Sequence, residues 1–215
     1  METNTDSNVK NWDDLELKTE LLRGIYSLGF EKPSEIQQKA ILPITKGKDV
    51  IAQAQSGTGK TGAFSISALQ NIDIEKKECQ AIIISSTREL VMQIHGVVNS
   101  LGEFMDGLNT KLLVGGTSVA DDIQSLQKCI PHIVVGTPGR IFDMIRRRKL
   151  DVFTANLFVL DEADELLSYG FKDQIHSIFQ YFNDEIQTAI FSATMPDEVI
   201  ELTDKFMNDP YKIIM

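Results

Sequence analysis

Residues 55–61, with the sequence Gln-Ser-Gly-Thr-Gly-Lys-Thr, have the types and spacing of a phosphate-binding loop. Glycines let the backbone wrap closely around phosphate oxygens, so that successive N–H groups point inward. Lys60 would place a positive charge at the terminal phosphates, and the Thr61 hydroxyl can bind Mg²⁺. The alternative is an ordinary glycine-rich turn, since Ala54 stands where the usual pattern has glycine. The candidate phosphate-binding residues are Ser56, Gly57, Thr58, Gly59, Lys60 and Thr61.

A second group of chemically competent residues follows the apolar run at 157–160, where the sequence reads Asp161-Glu162-Ala163-Asp164. An acid at the end of a buried parallel strand faces the same edge of the sheet as the phosphate loop. We expect Asp161 to hold Mg²⁺ largely through water, and Glu162 to orient and deprotonate an attacking water. The alternative is that acids at a helix N-terminus complement the helix dipole, which suits Asp164 better than Asp161.

The elements that must position these motifs are seven short apolar runs that alternate with amphipathic segments. The runs are rich in Ile and Val without strict alternation, which is typical of parallel strands buried on both faces. They lie at 50–54, 81–85, 111–115, 132–136, 157–161, 188–192 and 211–215. Helices are predicted at 61–72, 88–101, 118–128, 139–149, 165–182 and 197–207. The pattern predicts a single α/β domain with a doubly wound, mainly parallel sheet flanked by helices.

Composition excludes collagen, a coiled-coil rod and a fully disordered chain. The chain has 215 residues, is 42% hydrophobic and carries a net charge of −10, which fits a globular domain and argues against a surface that is basic throughout. One local basic segment, 146–149, is either a helix C-terminus or a peripheral nucleic-acid contact. No apolar run is long enough to cross a membrane, and the polar start of the chain does not resemble a signal peptide.

Three further expectations follow from these features. Residues 1–11 are polar and acidic, and we expect them to form a disordered tail. Cys79 and Cys129 lie in apolar contexts, so both are expected to be buried, reduced thiols. The expected compartment is the cytoplasm, with the nucleus as the alternative.

With both motifs in place, the chain resembles the DEAD-box ATP-dependent RNA helicases, most closely the translation initiation factor four A subgroup. Five further segments agree with that family in order and spacing, namely 29–37, 87–90, 115–116, 137–140 and 192–194. The resemblance covers residues 12–215 and implies a RecA-like P-loop NTPase fold. It implies that the chain is an N-terminal ATP-binding lobe that uses ATP and Mg²⁺ and binds single-stranded RNA or a short RNA duplex through the backbone.

The resemblance also assigns an adenine pocket to residues 30–37. It implies that Gln37 reads the adenine edge, that Phe30 stacks nearby, and that Lys32 and Pro33 line the pocket. Trp12 stands at the position of an aromatic residue that packs on this region. Ser34 and Gln37 also form a capping-box pattern, and the two interpretations are compatible because a cap leaves one amide edge of Gln37 free.

The remaining motifs are assigned by the same resemblance to RNA contact and to coupling. Ser192 and Thr194 are implied to be hydrogen-bond partners of Asp164 that link the ATP site to the RNA face. Helix caps and strand-end turns are the local alternatives for these segments. The residues implied to contact the RNA backbone are Thr87, Arg88, Gly115, Gly116, Thr137, Gly139 and Arg140.

Two departures from the family pattern carry expectations. Ser86 replaces the usual proline, which predicts a freer loop and a weaker RNA contact. Family members carry a second RecA-like lobe, which nothing in these 215 residues matches, so we expect the chain alone to hydrolyse ATP poorly and not to unwind duplexes. The implied partners are that C-terminal lobe and a translation-factor scaffold protein.

Two functions of other classes compete with the helicase. One is a binding module that holds nucleotide or a scaffold partner without chemistry. The other is a different P-loop enzyme, such as a DNA translocase or a transporter ATPase. The adenine-pocket sequence at 30–37 argues against this last alternative.

Overall fold

The computed structural model describes residues 9–215, and its framework is a single seven-stranded sheet. The strand order is β3-β4-β2-β5-β6-β1-β7, and every pairing is parallel. The strands are β1 (Val50–Gln53), β2 (Ala81–Ile84), β3 (Thr110–Leu113), β4 (Ile133–Gly136), β5 (Leu157–Leu160), β6 (Gln187–Ser192) and β7 (Tyr211–Ile214). Each strand overlaps one of the apolar runs, so the predicted fold class is confirmed.

Helices cover both faces of the sheet. They are α1 (Thr19–Ser27), α2 (Glu35–Thr45), α3 (Lys60–Asn71), α4 (Arg88–Leu101), α5 (Val119–Lys128), α6 (Pro138–Arg146), α7 (Ala163–Ser168), α8 (Lys172–Phe179) and α9 (Asp197–Phe206). The helix predicted at 165–182 is two helices, because Gly170 adopts a φ of 84° and ends α7 in a left-handed turn. Between residues 9 and 215, no helix has both the length and the apolar character needed to cross a membrane.

The core consists of two apolar layers, one on each face of the sheet. Consecutive strand residues point to opposite faces. Within β2, for example, Ile83 joins the layer that contains Phe64, and Ile82 joins the layer that contains Phe158. All four of these side chains are fully buried. Burial on both faces explains why the central strands β2, β4 and β5 carry no charged residue. Because every pairing is parallel, the carboxyl ends of the strands lie on a single edge.

The ordered domain begins earlier than the sequence predicted. Val9 is only 5% exposed and belongs to the core, and the backbone amides of Lys10 and Asn11 donate to Asp14. Trp12, in a short 3₁₀ helix, is fully buried and donates its indole N–H to the carbonyl of Phe30 at 2.8 Å. The expectation of a disordered tail over residues 1–11 is therefore wrong for residues 9–11, and residues 1–8 lie outside the described residues.

The two cysteines differ in environment, contrary to prediction. Cys79 is buried, and burial, reinforced by the charge of Asp151, raises the pKa of its thiol to about 12. Cys129 is exposed, because α5 ends at Lys128 and Cys129 begins the loop that follows. Both are free thiols, and the expectation that both are buried is wrong for Cys129.

This difference predicts selective thiol labelling. The native chain is expected to react with one equivalent of a water-soluble thiol reagent at pH 8, because only the thiolate reacts and only Cys129 is accessible. Two equivalents are expected in denaturant. Cys129→Ser should abolish labelling of the native chain, whereas Cys79→Ser should leave it unchanged. Rapid reaction of native Cys79 would contradict the packing described here.

The contact between α1 and α4 provides a prediction for stability. A Cβ on Gly24 would lie 2.0 Å from the carbonyl oxygen of Leu101, which is backbone and cannot turn away. We expect Gly24→Ala to destabilise the fold by about 2 kcal/mol or more, because the two helices must separate. Gly96, within α4, meets nothing within 4 Å, so Gly96→Ala should stabilise by about 0.5–1 kcal/mol. Urea unfolding of both variants measures the free energy of unfolding, which should fall in Gly24→Ala and rise in Gly96→Ala.

Candidate functional site

The phosphate-binding segment follows β1 and ends where α3 begins. Gly57 and Gly59 have φ values of 82° and 102°, a left-handed conformation that favours glycine. A Cβ on Gly59 would also lie 2.6 Å from Ser34 Oγ and 2.9 Å from Gln37 Nε2. The loop therefore lies against Ser34 and Gln37 at the N-terminus of α3, where unpaired amides can bind an anion.

Lys60 connects this loop to the acidic motif. Its side chain is 5% exposed, and its Nζ donates to the carbonyl of Ala54 at 3.0 Å and to Glu162 Oε1 at 3.3 Å. Ala54 does not adopt a positive φ, so the missing glycine of the usual pattern leaves the loop unstrained. The two motifs, 102 residues apart in the chain, therefore meet through one ion pair.

Asp161 forms the floor of the same cleft. It is 4% exposed. Burial, followed by the charge of Glu162, raises the pKa of its carboxyl to about 7, although Lys60 opposes this effect. Its Oδ1 atom is buried and has no hydrogen-bond partner among the described residues. A buried carboxylate oxygen without a partner, with the Thr61 hydroxyl lining the same cleft, fits a hard cation such as Mg²⁺.

Glu162 is held in an unusual backbone conformation. Its φ and ψ are 49° and 51°, in the left-handed region that non-glycine residues rarely occupy. This residue is the N-cap of α7, and the sharp change of direction there turns its carboxylate back towards Lys60. Such strain persists only where the surroundings enforce it, and it is concentrated at functional sites.

The cleft has a volume of about 310 Å³ and includes residues that the sequence analysis missed. Leu90, Gln93 and Ile94 of α4 line it opposite the phosphate loop. Their spacing of three and four residues places them on one helical face. The sequence therefore showed that these residues share a face, but only the packing of α4 against α3 shows that this face lines the cleft.

The predicted adenine pocket lies beside the phosphate loop. Gln37 accepts from the backbone N–H of Ser34 at 2.8 Å, and its Nε2 donates to the carbonyl of Gly59 at 3.1 Å. The capping box is present, but the amide edge expected to be free is engaged with the phosphate loop. Phe30 is half-buried beside Trp12 with ring centroids 6.5 Å apart, Pro33 is buried, and Lys32 is exposed.

Asp164 connects α7 to the end of β6. Its Oδ2 accepts from the backbone N–H and the hydroxyl of Thr194 at 3.0 and 2.7 Å, and its own backbone N–H donates to Ser192 Oγ at 3.1 Å. Burial alone would raise the pKa of Asp164, but hydrogen bonds from Thr194 and Ser192 outweigh burial and hold this pKa below its ordinary value. Asp164 is thus a charged anchor between two loops.

The segments assigned to RNA contact come together after β2, β3 and β4. Arg88 is exposed and lies against Gly116, whose added Cβ would be 3.1 Å from Arg88 Nη1. Gly115 is exposed as well. Thr137 precedes α6, which begins with Pro138 and the exposed Gly139. Because β3, β4 and β2 are neighbours in the sheet, these loops lie side by side and form a strip of exposed backbone with the Arg88 guanidinium.

Arg140 has a different place from the one expected. It is 8% exposed, and its guanidinium donates to the hydroxyl and the carbonyl of Thr117 and to Asp122. Lys111 pairs with the other oxygen of Asp122 at 3.1 Å. Arg140 therefore holds the loop after β3 in position, and its Nη atoms are engaged within the protein rather than presented to an RNA backbone.

The basic segment at 146–149 stands apart from this strip. Arg146 and Arg147 pair with Asp143 of the same helix at 3.3 and 2.9 Å. Cations near the C-terminus of α6 favour its dipole. These contacts within one helix fit the interpretation of the segment as a helix C-terminus and do not point to a nucleic-acid contact.

Ser86 is more firmly held than predicted. It is 6% exposed, and its hydroxyl donates to Glu165 Oε2 at 3.0 Å. The expectation of a freer loop is therefore wrong, because the hydroxyl anchors the loop to α7, an interaction that proline cannot make.

Fold and site together define a P-loop nucleotide-binding domain, since a phosphate loop and a strand-end acid meet across a parallel sheet. A family model described as DEAD/DEAH box helicase matches residues 34–202, and the chain belongs to that family.

Curated relatives and solved structures agree with this membership. Proteins named ATP-dependent RNA helicase eIF4A from Pyricularia oryzae and Chaetomium globosum are each 55% identical over 215 residues, which is all of this chain and 54% of each relative. The chain thus spans about half the length of the curated relatives it matches. A DEAD box protein from Methanococcus jannaschii superimposes with a TM-score of 0.90 at 36% identity, over 95% of this chain and 56% of that one. S. cerevisiae Dbp5 L327V bound to RNA and ADP BeF3 superimposes with a TM-score of 0.86 at 35% identity, over 96% of this chain and 52% of that one.

Proposed function

We propose that this chain is the N-terminal ATP-binding lobe of an ATP-dependent RNA helicase, in which ATP hydrolysis is coupled to RNA binding and local duplex unwinding. The observation that carries the proposal is the meeting of Lys60 and Glu162 above buried Asp161, beside a strip of exposed loops. The names of the relatives support a role in translation initiation, with RNA processing as the alternative.

The backbone amides from Ser56 to Thr61 would bind the phosphate oxygens of ATP. Lys60 would exchange its contact with Glu162 for the terminal phosphates, because these carry more negative charge than one carboxylate. Thr61 and Asp161 would hold Mg²⁺, the latter largely through water. A bound Mg²⁺ supplies positive charge that stabilises the charge developing on the transferred phosphoryl group.

Glu162 would act as the general base. Once Lys60 turns to the phosphates, the Glu162 carboxylate loses its ion-pair partner and can accept a proton from water. Its backbone conformation fixes the direction in which it points, so the base is positioned before substrate arrives.

Residues 30–37 would form the adenine pocket beside the phosphate loop. Gln37 would read the adenine edge with the hydrogen-bonding capacity that remains on its amide, while Phe30, Lys32 and Pro33 line the pocket. Because Gln37 also donates to Gly59, adenine binding would fix the phosphate loop at the same time.

RNA would bind along the loops after β2, β3 and β4. Arg88 would pair with phosphates, Thr87 would donate through its hydroxyl, and the exposed glycines would allow the backbone to approach closely. Contacts of this kind carry little sequence information, so base preference should be weak. The residues of this strip are Thr87, Arg88, Gly115, Gly116, Thr137 and Gly139, with Arg140 holding the strip in position.

The other half of the relatives' length would supply the C-terminal RecA-like lobe that completes the ATP site. A translation-factor scaffold protein would be a further partner, and the cytoplasm, with the nucleus as the alternative, the expected compartment. The 215-residue chain alone is expected to bind nucleotide, hydrolyse it slowly and leave RNA duplexes intact. Robust strand separation by this chain would contradict the assignment to one lobe.

Nucleotide binding by the isolated chain tests the site. Titration with a fluorescent adenine nucleotide in the presence and absence of Mg²⁺ should show Mg²⁺-dependent binding that GTP competes for poorly. Lys60→Ala should weaken binding at least about tenfold, because a charge-assisted contact to phosphate is lost. Lys46→Ala, on the exposed surface after α2, is the matched control and should bind as the unaltered chain does. Equal affinity of Lys60→Ala and Lys46→Ala would overturn the assignment.

A further inference from the structure

The carboxyl edge of the sheet is divided between two groups of loops. The loops after β1, β5 and β6 carry the phosphate-binding segment and the acids. Those after β2, β3 and β4 carry the strip proposed for RNA. The boundary falls between β2 and β5, which are neighbours in the sheet and run in parallel register from Ala81 beside Leu157 to Ile84 beside Leu160. A contact across this boundary can join the two ligand sites.

Ser86 and Glu165 make such a contact. Ser86 is the second residue after β2, and Glu165 lies in the first turn of α7, which follows β5. The 3.0 Å hydrogen bond from Ser86 Oγ to Glu165 Oε2 joins a hydroxyl to a carboxylate, a kind of bond that is stronger than one between two neutral groups. The burial of Ser86 fixes the hydroxyl, so the bond does not depend on an exposed rotamer.

Ser86 directly precedes Thr87 and Arg88, the two residues of this loop that are proposed to contact RNA. Next to Ser86, Thr87 caps α4 by accepting from the backbone N–H of Leu90 at 3.2 Å. The helix that begins there places Leu90 and Gln93 in the nucleotide cleft.

On the other side of the boundary, the N–H of Glu165 donates to Asp164 Oδ1 at 3.1 Å, and Asp164 is held by Ser192 and Thr194. The first turn of α7 is therefore anchored to β6 through Asp164 and to the β2 loop through Glu165.

We propose that Ser86 is a positioning residue that couples the RNA-facing loop at 86–88 to the first turn of α7, and through that turn to Glu162. RNA bound at Thr87 and Arg88 shifts or stiffens this loop, and the Ser86–Glu165 hydrogen bond transmits the change to the helix whose N-cap is the proposed base. Ser86 touches neither nucleotide nor RNA in this role. The inference rests on the proposed function, because it concerns the coupling between the two sites.

The test is RNA-stimulated ATP turnover by the full-length protein that contains this chain, with poly(U) as the RNA. Ser86→Ala should reduce the stimulation of kcat by saturating RNA about fivefold or more, the lower range of measured coupling between sites. Turnover without RNA, nucleotide affinity and the RNA concentration for half-maximal stimulation should each change less than twofold. A role in RNA binding alone would instead raise that half-maximal concentration.

Two further variants separate coupling from general damage. Ser86→Thr keeps the hydroxyl and should restore most of the stimulation. The double variant Ser86→Ala with Glu165→Ala should resemble either single variant, because both remove the same bond. Ser27→Ala, also a serine-to-alanine change but at the exposed end of α1, where the hydroxyl donates within its own helix, should stimulate normally.

Full stimulation in Ser86→Ala, additive losses in the double variant or failure of Ser86→Thr to recover would each overturn the inference while leaving the proposed function intact. Absence of RNA stimulation in the unaltered protein would instead overturn the proposed function, and the inference with it.

Discussion

Replacing Glu162 with Gln is expected to lower the RNA-stimulated ATP turnover of the full-length protein about a thousandfold, with nucleotide affinity kept within about threefold. General acid–base catalysis contributes typically about 10²–10⁴ in rate, and an amide cannot accept the proton of the attacking water. The measurement is kcat under saturating ATP and RNA, together with the dissociation constant of a fluorescent nucleotide.

The unequal effect on rate and affinity follows from the contacts of Glu162. Within the phosphate loop, its carboxylate pairs with the side chain of Lys60, so the backbone amides from Ser56 to Thr61 are expected to stay in place when it becomes an amide. Removing the negative charge also frees Lys60 from its only ion pair among the described residues, which favours transfer of Lys60 to the phosphates. Nucleotide affinity should therefore stay constant or rise slightly.

A suitable control is Glu198→Gln, because Glu198 is an exposed acid in the first turn of α9 and lies away from the cleft. It should leave both turnover and affinity unchanged. Normal turnover by Glu162→Gln would show that another group takes the proton. Loss of nucleotide binding would show that Glu162 serves the integrity of the cleft instead.

The sequence was sufficient to predict the sheet, and the reason is physical. Parallel strands covered on both faces must be apolar at every position, which leaves compact runs such as the one at 81–85. Helices α1 and α2 escaped prediction, although the capping box at Ser34 indicated where α2 begins. The division of the segment at 165–182 depended on Gly170, whose left-handed conformation ends α7 within a continuous helical pattern.

The candidate site was less predictable because it depends on contacts between distant segments. The motifs identified Lys60 and Glu162 separately, but the ion pair between them arises only when β1 and β5 are placed in one sheet. Arg140 was assigned to RNA by resemblance, yet its partner Asp122 carries no motif and lies on α5. The prediction for Ser86 considered only that proline is missing there. The hydrogen bond from its hydroxyl to Glu165 joins two separate loops and cannot be deduced from the missing proline.

Asp161→Asn is expected to make the nucleotide-free chain more stable at pH 8 by about 3 kcal/mol or more, while abolishing Mg²⁺-dependent nucleotide binding. The carboxyl is 4% exposed, and its pKa rises from the ordinary 3.8 to about 7. At pH 8 the folded chain must therefore hold a buried negative charge that the unfolded chain keeps in water. An amide of nearly the same shape removes that charge.

The direction of the pH dependence follows from proton linkage. Between pH 3.8 and about 7 the folded chain binds the Asp161 proton more tightly than the unfolded chain does. The associated stability is fully present below pH 3.8 and is lost as the pH rises through about 7. The advantage of Asp161→Asn should therefore grow by about 2.5 kcal/mol between pH 5 and pH 8 and level off above that.

Urea unfolding in EDTA at pH 5, 6, 7 and 8 measures this difference, and Asp173→Asn provides an exposed control whose stability should follow that of the unaltered chain. If the difference in the free energy of unfolding between Asp161→Asn and the unaltered chain stays constant across this range, Asp161 is ionised without cost to the fold. That result would contradict a cation site that destabilises the fold when it is empty. A growing difference would mean that the fold keeps a destabilised acid at the end of β5, and that a cation entering the cleft with nucleotide relieves this cost. Binding of Mg²⁺-nucleotide should then stabilise the unaltered chain more at pH 8 than at pH 5, and it should not stabilise Asp161→Asn at either pH.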